Sequence, residues 1–73
     1  MKTYITFGFD HAHRVNGKTL DHDCVAVINH TEEEDGRAIA FELFGPKFCM
    51  EYSEKYWDES KLSYFPRGYV TVR

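Results

Sequence analysis

The chain has 73 residues, of which 42% are apolar and 16% aromatic, so it is expected to fold as a single domain spanning 1–73 rather than to remain disordered. Its formal charge is -3 and its basic residues are scattered, which argues against nucleic-acid binding because phosphate contacts need clustered Lys and Arg. The two cysteines, Cys24 and Cys49, are too few for a disulfide-stapled secreted domain, and no apolar stretch reaches transmembrane length, so we expect a cytoplasmic protein with reduced core cysteines and no membrane partner.

The first part of the chain predicts strands joined by a hairpin. β-branched and aromatic residues dominate 3–9, where apolar and polar positions alternate as in a half-buried strand. Asn16 and Gly17 are the residue pair that best adopts a type I′ turn, which predicts a hairpin tip. The most β-prone run is 24–28, and its continuous apolar character predicts a central strand that is buried on both faces.

Start and stop signals predict one helix in the middle of the chain. Thr31 and Glu34 match a capping box, in which side chains and backbone amides at the first turn satisfy each other. The Gly-Pro pair at 45–46 is a strong stop signal. Because glycine costs about 1 kcal/mol in a helix, Gly36 predicts that the regular helix begins only at Asp35 or Gly36.

The remaining segments complete the predicted fold. Apolar residues at 39–43 also alternate as in a strand, but the signals at both ends favour the helix. Further strands are predicted at 47–52 and 68–72, separated by a polar and aromatic connection at 53–67. The order β-β-α-β-β predicts an α+β domain in which one helix packs on one face of a small antiparallel sheet.

Histidines near the predicted hairpin suggest a metal site. A regular register from the turn would pair His13 with Leu20, His11 with His22, and Phe9 with Cys24. One face of the hairpin would then carry side chains of the kind that zinc prefers, namely His11, His13, His22 and Cys24. This arrangement predicts a zinc-binding or pH-sensing module as one functional alternative. The competing interpretation is that these histidines lie at a polar hairpin end and bond to backbone and water.

Aromatic residues in the 53–67 connection suggest a second kind of site. Tyr, Trp and Arg are the residues that most often anchor protein interfaces, which makes Tyr56, Trp57, Tyr64 and Arg67 the candidate partner-binding residues. Some of these rings are equally expected to complete the core of so small a domain. An exposed sheet edge is expected to contribute to the contact, and pairing of that edge with a second copy would give a homodimer.

Motifs for catalysis are missing from the sequence. It contains neither a nucleophile elbow nor a phosphate-cradling glycine loop, and a domain of this size offers little room for a concave pocket. We therefore expect a protein without enzymatic activity. Its only candidate cofactor is the zinc ion of the alternative interpretation.

Several segments together resemble small uncharacterised accessory proteins that bacteriophages and prophages encode. The resemblance covers most of the chain and is carried by Ile5–Gly8, His11–His13, Val15–Thr19, Asp21–Ile28, Ala40–Gly45 and Tyr64–Gly68. It implies a protein that acts by binding a host or phage protein, and some proteins of this kind inhibit bacterial defence systems, as anti-CRISPR proteins do. We therefore expect a phage-type accessory protein that binds another protein and inhibits a host defence system.

Overall fold

A computed structural model describes residues 1–73 and shows an α+β domain, which confirms the predicted fold class. Its elements in chain order are β1 (Lys2–Thr6), β2 (His13–Val15), β3 (Lys18–Leu20), β4 (Cys24–Asn29), α1 (Gly36–Phe44), β5 (Met50–Ser53), a 3₁₀ helix (Glu59–Tyr64) and β6 (Gly68–Thr71). The order differs from the predicted one because β2 and β3 form a separate two-stranded ribbon between β1 and β4. No helix in this structure has the length and apolar character needed to cross a membrane.

The main sheet has four strands in the order β5-β1-β4-β6. β1 is antiparallel to both of its neighbours, whereas β6 runs parallel to β4, so the sheet is mixed rather than wholly antiparallel. A parallel strand requires a connection that returns to the starting end of the sheet. The segment 54–67 is that connection, and it crosses one face of the sheet.

Strand pairing brings most loops to one end of the sheet. Thr6, the last residue of β1, pairs with Val25 and with Met50, and Cys24 pairs with Gly68. β1 therefore ends at the edge where β4, β5 and β6 begin. We call this edge the loop end.

The larger core lies between the sheet and a layer made of α1 and the β2–β3 ribbon. Its buried side chains are Ile5, Phe7, Leu20, Cys24, Ala26, Ile28, Ala40, Phe44 and Val72. Phe44 meets Phe7 edge to face with 5.1 Å between ring centroids, a favourable aromatic geometry. The opposite face carries a second cluster around Tyr4, Val25 and Val27. β4 is thus buried on both faces, as its sequence predicts.

The helix begins at Gly36, as expected, but its cap is Asp35 rather than Thr31. The Asp35 side chain accepts hydrogen bonds from the Arg37 and Ala38 amides. The helix ends at Gly45, whose φ of 61° favours glycine and whose amide donates to the Phe41 carbonyl.

Thr31 and Glu34 form a separate turn ahead of the helix. The Glu34 carboxylate accepts from the Thr31 amide at 2.9 Å, which is one half of the predicted capping box. It also receives the Arg73 guanidinium at 2.6 Å. The hydrogen bond from the Thr31 amide, followed by that from Arg73, lowers the pKa of Glu34 from 4.5 to about 2.

Stability is therefore expected to fall as the pH drops from about 4.5 toward 2. The folded-state pKa of Glu34 lies below its unfolded value, so its stabilising effect is present above pH 4.5 and is lost as the carboxylate is protonated. Urea unfolding at pH 6 and pH 2.5 checks this for the wild type, Glu34→Gln and the exposed control Glu33→Gln. Glu34→Gln should lower the midpoint clearly more at pH 6 than at pH 2.5, and an equal effect at both values would contradict the prediction.

The two cysteines lie in different environments. Cys24 is buried in the larger core, as expected, and burial raises the pKa of its thiol. Cys49 is exposed, so the expectation that both are core residues is wrong for Cys49. Its segment, 45–49, lies outside the strands, because β5 begins one residue later at Met50.

Candidate functional site

The predicted zinc ligands do not converge. The ribbon has the expected register at its tip, where Val15 pairs with Lys18 and His13 with Leu20, and Asn16 and Gly17 both have positive φ. The ribbon ends there, so His11 does not pair with His22, nor Phe9 with Cys24. No group of three or more His, Cys, Asp or Glu side chains is arranged to hold a metal ion.

Local turns explain why the ribbon stops. The His11 amide donates to the Gly8 carbonyl, and the Gly8 amide donates to Nδ1 of His11 at 2.9 Å. On the other strand, the Asp21 carboxylate accepts from the Asp23 amide at 3.0 Å. Such side-chain bonds to nearby backbone compete with strand pairing. They turn the chain away from the continued strand pairing on which the predicted metal site depended.

The histidines instead make separate contacts. His13 donates from Nε2 to the Lys47 carbonyl at 2.6 Å, and the Nε2 atom of His22 lies 3.1 Å from the Asp23 carboxylate. Cys24 is the first residue of β4, and its side chain is buried in the larger core. The proposed ligand set His11, His13, His22 and Cys24 is therefore wrong as a shared site, because the hairpin register on which it depended ends at His13.

Trp57, a predicted partner-binding residue, packs on the sheet. Its ring stacks on Tyr4 with centroids 5.0 Å apart and planes 16° apart, and its Nε1 donates to the Tyr69 hydroxyl at 2.8 Å. Leu62 and Phe65 from the same connection cover the cluster. Trp57 thus holds the connection 54–67 against the sheet, which is the core role that the sequence left open as an alternative.

Arg67 joins the connection to the loops beside it. Its guanidinium donates to the Asp21 carboxylate at 3.0 Å and to the Thr19 carbonyl at 2.6 Å, and its amide donates to the Asp23 carbonyl at 2.9 Å. Charge-assisted bonds of this kind are stronger than neutral ones. Arg67 therefore fixes the loop end, and its charge is directed at the protein's own carboxylate.

The other two predicted residues, Tyr56 and Tyr64, are exposed. Tyr56 is 71% and Tyr64 78% exposed, although most large apolar side chains in such a domain help to build the core. They lie at opposite ends of the connection, since Tyr56 follows β5 whereas Tyr64 stands three residues ahead of Arg67. Tyr64 and Arg67 are both exposed at the loop end, but Arg67 already bonds to Asp21 and Thr19, so Tyr64 is the one of the four whose side chain is exposed there without such a contact.

Two further exposed apolar residues at the loop end were missed by the sequence reasoning. Phe9 is 86% exposed and its ring lies 4.5 Å from that of His22, centroid to centroid. Met50, at the start of β5, is 48% exposed. The prediction of a strand over 3–9 placed Phe9 on the buried face of that strand, but β1 ends at Thr6. Gly8, which favours turns, was the one available signal that the strand would stop early.

One open groove of about 380 Å³ lies elsewhere, between α1 and Arg73. Ile39 and Leu43 form its apolar part, and Glu34, Asp35 and Glu42 line its rim. Glu34 is already paired with Arg73, and Asp35 caps α1. Three of its polar lining residues, Glu34, Asp35 and Arg73, are therefore already bonded within the protein.

Comparisons with protein-family models, with curated proteins and with solved structures returned no match. The main feature of the candidate site is the set of exposed side chains at the loop end, Phe9, Met50 and Tyr64.

Proposed function

We propose that this protein acts without enzymatic activity, by binding another protein through the loop end of its sheet. The observation that carries the proposal is the exposure of Phe9, Met50 and Tyr64 at the end where strand pairing gathers the loops. Interface centres are enriched in aromatic residues and methionine, and buried rings contribute most of the binding energy.

Ordered loops also support binding at this end. Arg67 connects the 54–67 segment to Asp21 and Thr19, and the Gly8–His11 turn closes on itself through hydrogen bonds. A surface that is already ordered loses less conformational entropy when a partner docks. The exposed rings therefore lie on loops that hydrogen bonds already hold in place.

The narrower form of the proposal is that the partner belongs to a host and that binding inhibits a bacterial defence system. This form is supported by the resemblance to phage-encoded accessory proteins. The acidic balance of the chain, with twelve acidic and nine basic residues, is compatible with a basic partner surface.

Affinity capture from a bacterial lysate, quantified by mass spectrometry, tests the loop-end surface. The double variant Phe9→Ser/Tyr64→Ser is expected to lose a protein that the wild type enriches, at least about tenfold, because two interface anchors are removed. Tyr56→Ser is the matched control, since Tyr56 is equally exposed but lies at the far end of the connection. Circular dichroism should show that all three proteins fold.

The outcomes separate the two ends of the molecule. Retention on Tyr56→Ser together with loss on the double variant supports the loop end. Loss on Tyr56→Ser with retention on the double variant would instead place the contact at the opposite end and refute the proposed surface.

A further inference from the structure

We infer that the free edge of β5 binds an extended segment of the partner protein, as an added strand with a basic side chain opposite Glu51. This inference rests on the proposed function and specifies how the partner binds. β5 and β6 are the two edge strands of the sheet. An unpaired edge presents backbone groups that can pair with another chain.

The two edge strands differ in how far other parts of the chain cover them. The β6 end is covered by the ribbon tip, because Lys18 donates through Nζ to the Thr71 carbonyl at 2.5 Å and Asn16 donates to the Val72 carbonyl at 3.2 Å. No side chain makes such a bond to the outer edge of β5 between Met50 and Glu51. β5 also contains neither proline nor lysine, the residues that commonly protect an edge.

The direction of the β5 backbone groups follows from the pairing of β1. Met1 and His30 exchange both backbone hydrogen bonds, so odd-numbered residues of β1 point toward β4 and even-numbered ones toward β5. Tyr4 therefore bonds to its partner Tyr52. Because backbone direction alternates along a strand, Glu51 and Ser53 point their amides away from the sheet.

Three backbone groups are consequently available at this edge. They are the N–H and C=O of Glu51 and the N–H of Ser53. The Ser53 carbonyl is already used, since it accepts from the Tyr56 and Trp57 amides at 3.0 Å each. An added antiparallel strand would satisfy both groups of Glu51 with one residue and the Ser53 amide with another.

The side chain of Glu51 indicates what that residue should be. It is half-buried and belongs to none of the ion pairs in the structure. Directly opposite side chains in an antiparallel pair lie on the same face, where opposite charges attract. Lys or Arg opposite Glu51 is favoured, with apolar residues on either side of it to face Met50 and Tyr52.

A second copy of the chain fits this edge poorly. Two copies related by a two-fold axis normal to the sheet must pair residues of the same face, which allows only a few registers. Pairing Glu51 with itself opposes like charges, and pairing Tyr52 with itself leaves both Glu51 amides without an acceptor, because the Ser53 carbonyl is already used. Pairing Met50 with itself leaves both Glu51 carbonyls without a donor, because the Cys49 amide already donates to Thr6.

Amide hydrogen exchange by NMR, with the peptide Ser-Thr-Val-Lys-Val-Thr-Ser as probe, tests the inference on the intact protein. The peptide is expected to slow exchange of the Glu51 and Ser53 amides and to bind about threefold or more tightly than its Lys-to-Glu counterpart. The Glu51→Lys variant should reverse that preference. A peptide N-methylated at its lysine should lose the effect, because it lacks the proton that the Glu51 carbonyl accepts.

Each alternative has its own signature. Equal protection by the N-methylated peptide, or no protection at millimolar concentration, would refute strand addition. Protection of Glu51 that rises with protein concentration alone would make a second copy the occupant. If Phe9→Ser/Tyr64→Ser abolishes partner capture while no peptide protects Glu51, the proposed function stands and the strand-addition inference falls.

Discussion

Replacing Trp57 with alanine is expected to destabilise the protein by about 3 kcal/mol, toward the low end for a large aromatic residue because the ring is half-buried. The variant loses the stack on Tyr4 and the hydrogen bond to the Tyr69 hydroxyl, and it uncovers the second core cluster. A small domain has only about 5–15 kcal/mol of total stability, so the loss is a large fraction. Urea unfolding followed by circular dichroism measures it.

Tyr64→Ala is the matched control for Trp57→Ala. Tyr64 belongs to the same connection but is 78% exposed, so its removal should change stability by no more than about 0.5 kcal/mol. Trp57→Phe should recover part of the loss, since a smaller ring can still stack on Tyr4. A Trp57→Ala variant as stable as Tyr64→Ala would show that the connection is not anchored by this ring.

Gly36→Ala is expected to destabilise the protein by about 1–3 kcal/mol, although helix propensity by itself favours alanine by about 1 kcal/mol. A Cβ at this buried position would lie 2.7 Å from the Thr3 Cβ and 2.9 Å from Nε2 of His30, and closer still to the Thr3 hydroxyl. Thr3 belongs to β1 and His30 directly follows β4, so neither residue can move without disturbing the sheet. Packing is therefore expected to outweigh propensity.

A double-mutant cycle separates the two effects. Thr3→Ala removes the nearest atom, so Gly36→Ala should cost less in that background, with a coupling of at least about 0.5 kcal/mol. Thr3→Ala also loses the hydrogen bond to His30, which the single-variant arm of the cycle measures. A stabilising Gly36→Ala would mean that α1 shifts away from β1 without penalty.

Local signals in the sequence determined several features of this protein. Asn16 and Gly17 have the positive φ that their turn requires, Gly45 ends the helix, and the apolar run of β4 is buried on both faces. Each was predictable from the backbone preferences or the apolar character of a few adjacent residues. The α+β class follows from the same signals.

Tertiary structure decided the candidate site. Whether Trp57 anchors a core or faces a partner depends on which segment crosses the second face of the sheet, and Tyr4 lies 53 positions away in sequence. The separation of the histidines and the exposure of Phe9 depend on where the β2–β3 ribbon stops, which short-range side-chain bonds at Gly8 and Asp21 determine. Periodicity predicts which residues could be buried. Contacts between distant segments decide which of these residues are buried, because each face of a sheet is covered by only one layer of the chain.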